Sequence, residues 1–290
     1  MILKKDEFLE QYNGDKNIRF NDFIDTYSVR IRNNTTPLKD YAARKNISKK
    51  ALEALYNHII DRDKYLTRFY NTSLFVKDDI HIKGEPMKNE LMNNNKNVNY
   101  KNIIRNTHYK DILENTYSGI ENNPTFMKVL YDLYINRIID YKILTPSAIH
   151  YIMNGRIGSV FSSFYFRASI MNPYLVYSLN KSLLKGTKVF TPTLGWSSYA
   201  YGFMECDEII EYVGTDVIQN VCSNTRKLLN DNYKNKSFKI FQSPSENLMK
   251  NPGFRKKYNS HFDLVFFSPP YFKMEMYPGD KQSTTNYNDY

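Results

Sequence analysis

The chain has 290 residues, 41% of them hydrophobic, with 40 Lys and Arg against 30 Asp and Glu, for a formal net charge of +10. That is enough apolar material for one substantial core and a smaller unit. A mean hydropathy of −0.59, with no apolar run near the roughly 20 residues a membrane span needs, excludes a spanning protein. The two cysteines, Cys206 and Cys222, are too few for a disulfide framework. The five scattered histidines offer no metal-ligand cluster, so no metal is expected.

The N-terminal stretch MILKKDEFLEQYNGDKN has neither an apolar core nor a small-residue cleavage site, so an intracellular location is expected. The positive surplus favours a polyanionic partner, most often nucleic acid. A competing source is codon bias, because a chain rich in Lys, Asn, Tyr and Ile gains lysine from an A+T-rich genome. Residues 1–85 have a helical, charged pattern. Within them LKDYAARKNISKKALEALYNHI (38–59) resembles a helix-turn-helix. Ala42, Asn46, Ile47, Leu52 and Leu55 fill its small, turn and core positions, and Lys49, Lys50 and Asn57 would face DNA. An ordinary pair of helices with a solvated lysine face fits the same residues.

Residues 86–105 are polar and Asn-rich, as in a linker. Residues 106–160 carry helical periodicity, as in FMKVLYDLYINRIIDYKIL (126–144), and form a helical connector. Within 161–290 the pattern changes from Lys188. KVFT (188–191), EYVGT (211–215), FKIFQ (238–242) and DLVFF (263–267) are strand candidates, separated by helical stretches near 197–210, 217–231 and 244–257. Alternation at this spacing predicts an α/β fold whose parallel sheet is covered on both faces. Ligands bind outside the carboxyl ends of such strands.

The first strand leads into TPTLGWSSYAYGF (191–203), where Gly195 permits a tight turn. Asp216 ends the second, about 20 residues on, the offset at which a carboxylate accepts hydrogen bonds from ribose hydroxyls. It is equally placed to cap the next helix. After the third, Gln242 and Ser243 suit the edge of a purine, and Ser243 also suits a cap. The fourth ends in SPPYF (268–272). Pro269 and Pro270 lack N–H groups, so with Ser268 Oγ the carbonyls form a rigid, acceptor-rich ledge for an –NH2 group. Tyr271 can stack on the flat base that carries that amine.

Together these strings resemble the S-adenosylmethionine-dependent DNA amino-methyltransferases, which methylate adenine N6 or cytosine N4 and share a (D/N/S)-P-P-(Y/F) signature. FTPTLGWSSYAYGF resembles the glycine loop of a phage and large-virus branch, near D-P-x-x-G-W-G-G. YVGTD resembles its ribose-binding strand, and SPPYFKMEMYPGDKQS its extended signature. FYFRASIMNPYLVYSL (164–179) resembles the helix beside the methionine moiety. The resemblance covers roughly 160–290 and implies a Rossmann-like parallel sheet. By it, Phe166, Thr191, Gly195, Asp216 and Gln242 line the cofactor site, and Ser268, Pro269, Pro270 and Tyr271 hold the target base. The chain departs at Thr191, where the family has Asp, and at Ser197, where it has a second glycine.

The resemblance also implies that the sheet continues past the signature loop, whereas few residues follow Tyr271 here. The expectation is a sheet truncated after its fourth strand, with an open edge that a second polypeptide or a self-copy completes. Two other activities stay open. One is methylation of RNA or of a protein amide. The other is DNA binding by an inactive methyltransferase fold, which Thr191 and Ser197 favour and the intact SPPYF opposes.

Overall fold

The computed structural model describes residues 2–77 and 79–278. Its strands form two sheets. The smaller contains β1 (Ser28–Ile31), β2 (Asn34–Pro37) and β3 (Ile138–Asp140) in the order β2-β1-β3. The larger contains β4 (Lys188–Thr191), β5 (Glu211–Asp216), β6 (Ser237–Gln242) and β7 (Leu264–Val265) in the order β6-β5-β4-β7, with every neighbouring pair parallel. The fold is therefore α/β with a parallel four-stranded sheet, compatible with a Rossmann-like arrangement.

Side-chain alternation divides the larger sheet between two apolar layers. Val189 and Tyr212 face the main core, whereas Phe190 and Val213 face a smaller one closed by Leu248, Phe254 and Tyr258. Helix Gln219–Asn232 covers the first face with Val221, Cys222, Thr225 and Leu229, one apolar stripe at helical spacing. Helix Ser198–Met204 is buried at every residue and packs against β5 and the helices Pro173–Leu179 and Gln219–Asn232. Its rings Tyr199 and Phe203 meet Phe266 edge-on, with centroids 5.2 and 5.3 Å apart. Gly202 lets helix Pro173–Leu179 cross closely, since a methyl there would lie 2.6 Å from the Pro173 carbonyl oxygen.

The strand expected at 263–267 pairs only at Leu264–Val265. The Asp263 carboxylate fastens its start by accepting from the N–H groups of Thr187 and Lys188. Leu264 and Phe266 pack on the main core, but Val265 and Phe267 are 56% and 53% exposed, because the smaller core ends at Phe190. Among the described residues the outer edge of β7 has no partner. The helix expected at 244–257 is two helices, Ser245–Lys250 and Pro252–Tyr258. Pro252 cannot continue a helix, and the Asn251 side chain caps the second one by accepting from Phe254 N. The end of the extended signature and the polar tail, 279–290, lie outside the described residues.

The N-terminal region is mostly helical but contains the β1–β2 hairpin, turning at Arg32 with φ 56°. Its third strand, β3, comes from the expected connector. Helix Phe126–Tyr134 stops short of Arg137, whose φ is 58°, and the β-branched pair Ile138–Ile139 then extends beside β1. The Asn-rich segment is not a free linker. It holds the turn Asn89–Leu91 and the start of helix Asn99–Thr107, and Asn94 Oδ1 accepts from Asn172 N at 2.6 Å. One apolar cluster runs from Phe8 to Ile240, so the helical region and the sheet share a core. Within 38–59 the helices are Leu38–Arg44 and Lys49–Ile60, joined through Asn46 at φ 52°. Ala42, Leu52 and Leu55 are buried, and the second helix packs against Pro146–Met153.

Candidate functional site

β5 and β6 lie on one side of β4, and β7 returns to the other. That reversal opens a crevice at the carboxyl ends of the strands. A cavity of about 660 Å³ occupies it, bordered by all four strand ends. Gly195 and Trp196 follow β4, Asp216 ends β5, Ser243 follows β6, and Ser268 to Tyr271 follow β7.

The loop after β4 carries three successive left-handed residues, Gly195, Trp196 and Ser197, with φ of 52°, 59° and 69°. Gly195 is required on two counts. Its φ suits glycine, and a methyl there would stand 2.4 Å from the Tyr199 ring. Trp196 and Ser197 each bear a cost of about 1–2 kcal/mol for this conformation. Packing and hydrogen bonds hold them in it. Ser197 Oγ lies 2.7 Å from His108 Nε2 and 2.6 Å from Thr225 Oγ1, and the Trp196 ring is centred 6.0 Å from His108 and 6.1 Å from Tyr277. Burial pushes the His108 imidazole down to about 3, so the ring is neutral.

Asp216 joins two of the loops. Its Oδ2 accepts from Leu194 N at 3.1 Å and its Oδ1 from Ile218 N at 3.0 Å. The helix beyond starts at Gln219 with Ile218 as its cap, so Asp216 orders the turn before the helix rather than capping it. Burial raises the Asp216 pKa, against the lowering effect of the N–H bonds from Ile218, Leu194 and Val217. Thr191 sits beneath, fully buried, with its hydroxyl 2.5 Å from Tyr212 Oη. A carboxylate there would be a second buried negative charge close to Asp216. The hydroxyl pair is neutral and self-satisfied.

On the opposite wall, Ser268 Oγ lies 3.2 Å from Tyr271 Oη, and the Tyr271 ring is 42% exposed at the cavity mouth. Thr193 Oγ1 donates to the Ser268 carbonyl at 3.5 Å, linking the glycine loop to the signature loop. The Tyr199 phenol, pushed up to about 12 by burial, is neutral and bonds Ser268. Beyond Tyr271 the chain is pinned to the helical region. Met276 and Tyr117 exchange backbone bonds of 2.7 and 3.0 Å, and Gly119 N donates to Lys273 O at 2.9 Å.

Of the residues expected at the site, Gly195, Asp216, Ser268, Pro269, Pro270 and Tyr271 border this one cavity. The others do not. Thr191 is a layer below, and Gln242 is exposed while the next residue, Ser243, takes the lining position. Phe166 is tied by its backbone to Pro124 and Phe126, and Ser169 and Met171 stand at the cavity instead. Lys49, Lys50 and Asn57 are exposed on their helix and do not border it. Sequence reasoning missed Trp196, Tyr199, Glu275 and the supporting His108. The chain's single tryptophan, directly after Gly195, was the one visible signal.

No family model matches this chain, and neither any curated protein nor any solved structure matches it. The site therefore speaks through its own chemistry. Among the described residues its charged lining consists of Asp216, Glu246 and Glu275, with no lysine, arginine or histidine, in a chain of net charge +10. Among these described residues a phosphate-bearing ligand finds no counter-charge, while a cationic one is favoured. Among the described residues no cluster of His, Cys, Asp and Glu could hold a metal, and no helix is long and apolar enough to cross a membrane.

Proposed function

We propose that this chain is an S-adenosylmethionine-dependent DNA amino-methyltransferase acting on an exocyclic base amine, cytosine N4 or adenine N6. One observation carries the reading. The glycine loop, Asp216 and the SPPY loop, far apart in sequence, border one cavity whose charged side chains are, among the described residues, all carboxylates. A volume of about 660 Å³ suits a cofactor of nucleoside size. The carboxylate lining suits its positive charge.

S-adenosylmethionine supplies a methyl group bound to positively charged sulfur. Asp216 would accept from the ribose hydroxyls with the lone pairs its two N–H partners leave free. Ser243 to Ser245 would edge the adenine. At the other wall, Tyr271 would stack on a flipped base, and Ser268 with the Pro269 carbonyl would accept both amine hydrogens. Both acceptors would draw the nitrogen lone pair out of the ring and aim it at the methyl carbon. As the N–C bond formed the S–C bond would break, leaving a neutral thioether, and the amine would then shed its proton to solvent, so no strong base is needed beside it. The chain contributes mainly orientation and exclusion of water.

DNA is the proposed substrate because the chain carries a net charge of +10, while none of its Lys or Arg residues lies among the described residues of the cavity lining. Lys49, Lys50 and Asn57 are proposed to contact it. Transfer of a tritiated methyl group to DNA, followed by nucleoside analysis, tests the reaction and names the base. Label in RNA or protein alone would move the substrate class. Cofactor binding without transfer would make the chain a DNA-binding protein with an inactive fold.

A further inference from the structure

We propose that Glu275 recognises a primary ammonium group on the ligand that fills this cavity, so that the site selects an amino-acid-like end. The proposal rests on the cofactor reading above and names the group that one wall of the cavity reads. Glu275 borders the cavity and is 4% exposed. Its Oε1 accepts from Ser169 N at 2.7 Å and its Oε2 from Tyr277 Oη at 3.1 Å. Both donors are neutral. Among the described residues no lysine, arginine or histidine forms an ion pair with it, although the chain has a large surplus of such groups.

A carboxylate withdrawn from water without a counter-ion is costly, and a cation arriving with the ligand relieves that cost. Two donors leave about half of the four acceptor positions of the carboxylate open. An ammonium group has three donors to offer them. The group is also held in place before any ligand arrives, because flanking residues Lys273 and Met276 are backbone-bonded to Gly119 and Tyr117. The Trp196 and Tyr277 rings, centred 6.1 Å apart, also border the cavity and add faces that favour a cation. Asp216, at the end of β5, is left for neutral hydroxyl donors. A simpler role for Glu275 is to clamp the 273–277 segment onto Ser169. A clamp, however, does not distinguish one ligand from another.

The test is calorimetry on the full chain with S-adenosylhomocysteine and with its analogue lacking the α-amino group. The wild-type protein should bind the amine-bearing ligand about 10- to 100-fold more tightly, the range of a charge-assisted hydrogen bond. Glu275→Gln keeps the shape and removes the charge. It should erase that preference while leaving affinity for the desamino analogue unchanged. Equal weakening of both ligands would make Glu275 a clamp only and overturn the proposal. So would a wild-type protein that binds both ligands equally, an outcome independent of how the variant folds. Failure of the wild type to bind either ligand or S-adenosylmethionine would instead remove the cofactor reading itself.

Discussion

His108 Nε2 lies 2.7 Å from Ser197 Oγ, joining the end of helix Asn99–Thr107 to the strained loop at the cavity floor. The order of protons follows from the far end. Thr225 Oγ1 donates to the Val221 carbonyl at 2.7 Å, so it accepts from Ser197, which in turn accepts from His108. His108 therefore carries its proton on Nε2, and its Nδ1 is a buried acceptor with no partner. Helical residues outside the sheet thus hold the loop on which the ligand would rest.

This buried histidine makes stability depend on pH. In the unfolded chain the imidazole takes up a proton near 6.5, whereas the folded ring resists protonation down to about 3. Between those values the unfolded state binds more protons, so stability falls as pH drops, by up to about 1.4 kcal/mol per pH unit. His108→Gln, which retains a donor for Ser197, should flatten urea-denaturation free energies between pH 6.5 and the acid limit of folding. An unchanged slope would place the acid sensitivity elsewhere.

Gly195→Ala should disrupt the loop. The left-handed backbone alone costs about 1–2 kcal/mol for an L-residue, and the new methyl would meet the Tyr199 ring at 2.4 Å. Thermal unfolding should show the loss of stability and calorimetry a loss of cofactor affinity. Wild-type values in both would mean that the loop rearranges freely.

Asp216→Ala should weaken S-adenosylmethionine binding by about 1.5–3 kcal/mol, the worth of a charge-assisted hydrogen bond. The wild-type affinity should also fall as pH drops through the raised Asp216 pKa, because the protonated carboxyl accepts less well. Titrations at several pH values check both. Affinity insensitive to the substitution would reduce Asp216 to a fastener of Leu194 and Ile218.

Tyr271→Ala should abolish most methyl transfer and leave cofactor binding intact, since the ring stands 42% exposed at the mouth. The stacking lost is about 1–3 kcal/mol per base. Wild-type turnover in both Tyr271→Ala and Ser268→Ala would sink the assignment of the signature loop.

Neutralising Lys49 or Lys50 should each lower the slope of log affinity for DNA against log salt by about 1. Both side chains are exposed, though Lys49 sits 3.7 Å from Glu53, which will blunt its share. A salt-independent affinity would leave the lysine surplus without a DNA-binding role.

The limits of sequence reading are clearest at particular residues. Val189 and Tyr212 against Phe190 and Val213 form a period-two pattern that requires a strand covered on both faces, and β4 and β5 match the expected spans closely. Asn251-Pro252, by contrast, split a helix that apolar spacing alone had joined. Ile138–Asp140 became a strand although the periodicity around it is helical, because pairing with β1 outweighed local preference.

By itself the sequence determined the alternation of strands and helices, and with it the loops that must gather at one end of a parallel sheet. Gly195, Asp216 and Ser268 to Tyr271 were legible for that reason: each ends a strand or lies in the loop that follows one, and local chemistry marks it. The tertiary structure alone decided that His108 supports Ser197, that Glu275 is buried at the cavity with no counter-charge among the described residues, and that Phe166 and Gln242 stand outside it. Those placements depend on contacts between residues far apart in the chain. No local pattern encodes them, because burial and partnership are properties of the packed core rather than of any segment.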